Sequence, residues 1–230
     1  MDPADEYHTP FGFVGNNPIR NADSDGRRTW TVNGTTQFFG SDPSLHFPPT
    51  VTQAWGSVFG DKNATQFIWT GDYNYWEWQQ AANSLALEIR VEKCIHPDEP
   101  INIAAWSMGS PVAILAANIA FAHGIKVDNL ITIAAPAIEG YSLRPGAVDN
   151  LFVNLYNHHD LVQVLGGLPR LGFAGRDQIG ALNLDISTLF AGTTASRFGG
   201  WHSIMHQNPK VQGLIRSMLQ YETITIAPSL

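Results

Sequence analysis

Four near-continuous apolar runs divide the chain: Phe67-Ile68-Trp69-Thr70, Ile101 to Ala105, Leu130 to Ala134 and Leu151 to Tyr156. Each has the length of a strand buried on both faces. A further run, Trp30 to Thr36, reads as a strand broken at Gly34. Helical periodicity appears between them. Over Tyr75 to Cys94, Ala82, Leu85, Ala86 and Ile89 fall at i, i+3, i+4 and i+7, giving one apolar face. Ala113 to Ala122 is a run of good helix formers, stopped by His123-Gly124. Val211, Leu214, Ile215 and Leu219 make the face of a closing helix from Pro209 to Tyr221. Gly40 to Thr50 is turn-rich, and Leu161 to Gly200 reads as irregular or short-helical covering. Strands alternating with helices predict an α/β fold, a mostly parallel sheet covered by helices on both faces.

The turn after the Ile101 strand carries the chemistry. In Ala105-Trp106-Ser107-Met108-Gly109-Ser110-Pro111 a serine stands between two small residues, each two positions away. This is the small-x-Ser-x-Gly pattern of a nucleophile elbow, with Ala in place of the usual first Gly. A sharp strand-to-helix turn brings two backbones close to the serine, and only small side chains fit beside it. Pro111 falls in the first helical turn, where its missing N–H costs nothing. The bland alternative is an ordinary βα turn with a serine N-cap.

A serine hydroxyl is a weak nucleophile until a base takes its proton. Asn157-His158-His159-Asp160 follows the fourth strand, at the sheet edge where parallel sheets gather their chemistry. Gly200-Trp201-His202-Ser203 reads as a glycine-flanked loop before the last helix. Ser107, Asp160 and His202 therefore occur in the order nucleophile, acid, base. Asp160 also reads as an N-cap for a helix from Leu161. Asp149 is a rival acid, though it precedes its strand. His206, four residues after His202, is a rival base. His158 and His159, being adjacent, would point apart in a strand or helix; otherwise they read as exposed turn residues.

These segments resemble lipases and esterases of the α/β-hydrolase superfamily over about residues 65–220. In that superfamily an Asn-x-Tyr-x-x-x-Asp-x-Val segment follows a strand, and a His-Ser loop precedes the last helix. The resemblance implies an α/β-hydrolase fold and a Ser107–His202–Asp160 triad. It also implies an oxyanion hole made by the backbone N–H of Met108 and one N–H from the loop after an earlier strand. Gly71-Asp72, after Phe67 to Thr70, offers the Asp72 N–H, although its carboxylate would oppose an oxyanion unless turned away. Trp69, Tyr73, Tyr75, Trp76 and Trp78 crowd that loop, and Trp106 and Trp201 flank Ser107 and His202. Aromatic rings so placed suit an acyl-chain site or a membrane interface.

Composition narrows the field. A formal charge of −7, with no lysine or arginine cluster beyond Arg27-Arg28, argues against nucleic acid as a partner. The single cysteine, Cys94, excludes an internal disulfide, and the eight histidines lack metal-site spacing, so no metal and no cofactor is expected. No segment reads as a signal peptide or a membrane span.

Residues 1–29 are polar and turn-rich. Asp2-Pro3-Ala4-Asp5-Glu6-Tyr7, Phe11-Gly12-Phe13-Val14-Gly15-Asn16-Asn17-Pro18-Ile19-Arg20 and Asp23-Ser24-Asp25-Gly26-Arg27 resemble the C-terminal end of the Rhs (YD-repeat) associated core domain. Ser24 departs from the proline usual there. The resemblance implies that residues 1–29 end a shell domain and that residues 30–230 are its toxin cargo. It further implies an effector acting in or on a target cell, and a cognate immunity protein as partner. The expected substrate is a lipid or other ester, met in transient contact with a membrane surface. An amidase or peptidase on the same fold, and a non-catalytic module of the shell, are the competing readings.

Overall fold

The structure is a computed structural model that describes residues 28–35, 47–166, 174–191 and 200–226, without the side chains of 201 and 221–226. The Rhs-like segment, residues 1–27, lies outside the described residues.

The elements run β1 (Arg28–Val32), α1 (Pro49–Phe59), β2 (Thr65–Phe67), α2 (Tyr75–Ile95), β3 (Ile101–Trp106), α3 (Gly109–Ala122), β4 (Val127–Ile133), β5 (Val148–Tyr156), α4 (Leu161–Leu165), β6 (Leu182–Asp185), α5 (Gly200–Ile204) and α6 (Pro209–Ile226). A 3-10 turn at Ser187–Phe190 follows β6. The strands form one six-stranded sheet in the order β2-β1-β3-β4-β5-β6, every neighbouring pair parallel. All strands therefore deliver their following loops to one edge.

The runs in β3, β4 and β5 are continuous because the sheet is buried on both sides; of Phe67-Ile68-Trp69-Thr70 only Phe67 lies in a strand, and Ile68 is exposed. From β3, Ile101, Ile103 and Ala105 pack into a core with α2 and α3, while Ala104 and Trp106 face a second core with α1 and α6. Small residues on α3, among them Ala113, Ala116, Ala117 and Ala120, let that helix lie close against its neighbours.

Four differences from the sequence reading have local causes. Arg28 and Thr29, read as the end of the arm, belong to β1, where Arg28 stands opposite Ile101 and its N–H reaches Pro100 O at 3.1 Å. Helix α1 was not predicted: its buried face mixes Thr52 and Gly56 with Trp55 and Phe59, which blurs the hydrophobic period. Strand β6 lies inside the stretch read as irregular. As an edge strand it needs no apolar run, and Asn183 ties it in by accepting from Asn154 Nδ2 at 2.8 Å and from the Gln178 N–H at 2.8 Å. Finally, His202 sits on the short helix α5 rather than in a loop. Two indoles hold this segment: Trp106 Nε1 donates to His202 O in the helix at 2.9 Å, and Trp55 Nε1 to His206 O in the turn after it at 2.8 Å.

Candidate active site

Ser107 follows β3 in a left-handed conformation, with φ of 52°. A non-glycine residue there is strained and persists only where its surroundings enforce it. The enforcement is visible: the Ser107 N–H bonds Ile133 O at 2.8 Å, and Ser107 O accepts from Ser110 N at 2.9 Å. Gly109 is small for a steric reason, since a Cβ on it would stand 2.3 Å from Asn33 O and 2.7 Å from Val32 O.

Three side chains converge on this turn. His202 Nε2 lies 2.8 Å from Ser107 Oγ, and His202 Nδ1 lies 2.7 Å from Asp160 Oδ2. Their exposures are 6% for Ser107, 2% for His202 and 1% for Asp160, so the whole relay is shielded from water. Shielding strengthens each of its polar contacts. Neither rival occupies the place of an acid or base. Asp149 is at the start of β5, paired with Lys126 at 2.6 Å on the surface. The His206 ring is buried against Trp106 at 4.3 Å and Phe47 at 4.8 Å.

Asp160 does two jobs at once. Its Oδ1 accepts from the N–H groups of Val162 (3.0 Å) and Gln163 (3.2 Å), capping α4, while Oδ2 faces His202. Arg176 braces the same loop, its Nη2 donating to His158 O at 2.9 Å and Asp160 O at 3.1 Å. His158 and His159 lie in a turn, not a strand or helix, and so do not point apart: their ring centroids are 3.8 Å apart. His158 Nδ1 contacts Asp185 Oδ2 at 2.9 Å and Ser187 Oγ at 2.8 Å, tying the acid's loop to the end of β6. Burial pushes the Asp185 carboxyl up, but hydrogen bonds from Ser187 and His158 outweigh it and hold the group below the usual carboxylate range.

The Met108 N–H adjoins Ser107, and among the described residues no backbone carbonyl accepts from it. Asp72 follows β2, which β1 separates from β3 in the sheet order. The Asp72 N–H donates to Thr70 Oγ1 at 3.3 Å. The backbone that abuts the serine is Asn33-Gly34-Thr35, after β1. A Cβ on Gly34 would stand 2.9 Å from Ser107 Cβ and 3.1 Å from the Trp106 ring. The sequence held a signal for this: a glycine inside an apparent strand marks close approach of another group. This loop is held by its neighbour after β2: Trp69 Nε1 donates to Asn33 O at 2.7 Å, and Thr35 Oγ1 to Gly71 O at 2.6 Å.

Of the aromatic residues, Trp78 is buried between Tyr73 (5.2 Å) and Tyr141 (5.4 Å), whereas Tyr75 and Trp76 are exposed. The Tyr73 hydroxyl donates to Gly166 O, joining the start of α2 to the end of α4. The Trp201 side chain lies outside the described residues. Among the described residues no cluster of His, Cys, Asp or Glu could hold a metal ion, and no helix is long and apolar enough to cross a membrane.

No family model matches the chain, and no curated protein matches it in sequence. Solved structures do. The chain is similar to lipase B of Aspergillus fumigatus, at 16% identity and a TM-score of 0.51, over 86% of this chain and 54% of the lipase. It is also similar to an alpha-beta serine hydrolase homologue from Coxiella burnetii, at 14% identity and a TM-score of 0.47, over 84% of this chain and 85% of that one. A third match is the RedJ thioesterase of the prodiginine biosynthetic pathway in Streptomyces coelicolor, at 16% identity and a TM-score of 0.34, over 49% of this chain and 44% of that one. The chain thus spans about half the length of the lipase and the thioesterase. With the parallel sheet and the strained serine after its third strand, the likeness to lipase B makes this the α/β-hydrolase fold.

Proposed function

We propose that the chain is a serine hydrolase of carboxylic esters, a lipase or phospholipase in type. The observation that supports it most is the shielded line Ser107 Oγ–His202 Nε2, His202 Nδ1–Asp160 Oδ2 at 2.8 and 2.7 Å. In this reading His202 takes the Ser107 proton as the hydroxyl attacks the acyl carbon. It then returns the proton to the leaving alcohol, and a water repeats the cycle to free the acid. Asp160 holds the proton on Nδ1 and balances the imidazolium. The tetrahedral oxyanion is received by the Met108 N–H and by the Gly34–Thr35 backbone, which takes the place of Asp72. Each such donor typically lowers the barrier by about 3 kcal/mol. Role and residue sit together physically, because the strain at Ser107 is what aims its hydroxyl out of the turn.

The delivery role rests on the resemblance of residues 2–27 alone. On that basis the ester cleaved is a membrane phospholipid of a target cell, and the partner is an immunity protein. Ser107→Ala removes one oxygen, and folding should be preserved. Fatty-acid release from phospholipid vesicles and hydrolysis of p-nitrophenyl esters should both fall by about 10³-fold or more. Growth inhibition of bacteria expressing the chain should vanish with them. A well-folded Ser107→Ala chain that still hydrolyses esters at the wild-type rate would refute the esterase reading. One that loses hydrolysis but still inhibits growth would refute only the toxin role.

A further inference from the structure

The edge of the sheet that carries Ser107 also leaves large apolar side chains in water. Ile68 follows β2, Tyr75 and Trp76 open α2, and Leu161 opens α4 directly after Asp160. Trp76 is 73% exposed and Tyr75 57%. Asn74 caps α2 by accepting from the Glu77 N–H at 3.0 Å, and Trp78, two residues after Trp76, is buried and donates Nε1 to Asp72 O at 3.0 Å. The two exposed rings meet edge to face at 6.2 Å. The rim is joined to the site through covered contacts: the loop after β2 holds Asn33 and Thr35, and Gly34 between them abuts Ser107.

What such a rim fits follows from its area and its charge. Aromatic side chains bury roughly 150–250 Å² each. These two rings with Ile68 and Leu161, all four already partly covered, fall short of the roughly 800 Å² per partner that a stable protein interface needs. A second copy of the chain is therefore a poor occupant. Trp and Tyr do partition into the polar–apolar boundary of a bilayer, which asks for no shape complementarity. Charge then selects the bilayer. From Asn63 to Leu87 the sequence has no lysine or arginine but has Asp72 and Glu77, in a chain of net charge −7. Anionic membranes attract basic segments and repel this one.

We propose that Ile68, Tyr75, Trp76 and Leu161 form a docking rim that seats the Ser107 edge on electrically neutral, zwitterionic lipid surfaces and disfavours anionic ones. The rim gains its meaning for substrate choice from the esterase reading above, but binding itself is independent of catalysis. The test uses the full chain carrying Ser107→Ala, cosedimented with phosphatidylcholine vesicles and with phosphatidylglycerol-rich vesicles. It should partition to the first and more weakly to the second. Adding Trp76→Ala should cut partitioning to phosphatidylcholine by about tenfold, the factor expected for withdrawing about 60 Å² of ring from the bilayer. Tyr75→Ala should act in the same direction. In the chain with Ser107 intact, Trp76→Ala should slow hydrolysis of phosphatidylcholine vesicles while leaving a soluble short-chain ester untouched. Equal partitioning with and without Trp76, or stronger binding to phosphatidylglycerol, would overturn the proposal. So would a concentration-dependent dimer that Trp76→Ala dissolves. If no ester is hydrolysed yet Trp76-dependent binding to phosphatidylcholine holds, the rim stands and the esterase reading falls.

Discussion

Gly109→Ala separates two physical effects of opposite sign. Gly109 begins α3, and its φ lies outside the left-handed region. By helix propensity alone, alanine there should stabilise by about 0.5–1 kcal/mol. The structure argues the reverse. The added Cβ would stand 2.3 Å from Asn33 O and 2.7 Å from Val32 O, where carbon and carbonyl oxygen ordinarily meet at about 3.3–3.6 Å. Relief needs about 1 Å of movement, and both obstacles are backbone: Val32 ends β1, bonded on both sides within the sheet, and Asn33 O is held by Trp69 Nε1. Overpacking of this kind costs about 1–3 kcal/mol or more, and the rigid neighbours set it at the upper end. After the propensity gain, about 2–2.5 kcal/mol remains. In a domain of this size that lowers Tm by roughly 4–10 °C.

The same shift should damage chemistry more than folding. Asn33 adjoins Gly34, and Gly34 abuts Ser107, so the strain lands between the nucleophile and the backbone proposed to receive the oxyanion. A misplacement of about 1 Å costs on the order of 100-fold in rate. Calorimetry with kcat/KM on a soluble ester measures both. Gly124→Ala is the control: with φ of 79° and nothing within 4 Å of a new Cβ, it suffers only backbone strain of about 1–2 kcal/mol. It should leave kcat/KM unchanged. A Gly109→Ala chain as stable and as active as wild type would refute the steric argument for the elbow.

Two substitutions divide the work of Asp160: asparagine keeps the cap but not the charge, so Asp160→Asn should hold Tm while kcat falls by about 10⁴-fold, whereas Asp160→Ala should lose about 1 kcal/mol as well, both read by thermal melts beside kinetics. Tyr141 should make stability sensitive to alkali. Burial, with Tyr75 and Tyr73 nearby, pushes its phenol up to about 12, so the unfolded chain ionises first, near pH 10. Stability is then full below pH 10 and is lost as pH rises towards 12; denaturant melts of Tyr141→Phe across that window should show a smaller loss than wild type.

The parts legible in the sequence are those whose determinants are local. The elbow needs small residues two positions either side of Ser107, and the close approaches around Gly109 are the reason. Asp160 is placed at a strand end, which is a local signal, whereas His202 is preferred for a glycine loop where the structure has helix α5. The approach of Gly34 to Ser107 was not legible as such, because which loop neighbours Ser107 depends on strand order. Reading strands in chain order put the loop after β2 forward, yet the sheet inserts β1 beside β3. The short helix around His202 was hidden for a similar reason: its His202 carbonyl is held by Trp106, 96 residues away, and the turn after it by Trp55, 151 residues from His206.

Asp160 shows why local alternatives need not compete. As a sequence it read either as the cap of α4 or as the acid of a triad. A carboxylate has two oxygens, and the fold divides them, Oδ1 to the helix N–H groups and Oδ2 to His202. The two roles support each other. Two backbone donors immobilise the carboxylate, so its second oxygen is presented to the imidazole in one orientation, and helix α4 begins where the acid must stop. Preorganisation of this kind is what a buried relay requires, since nothing then has to reorient as charge develops on His202. Removing the helix contacts without touching the charge would therefore loosen the His202 contact, and Arg176, bonded to the carbonyl of the same residue, closes the third side of that hold.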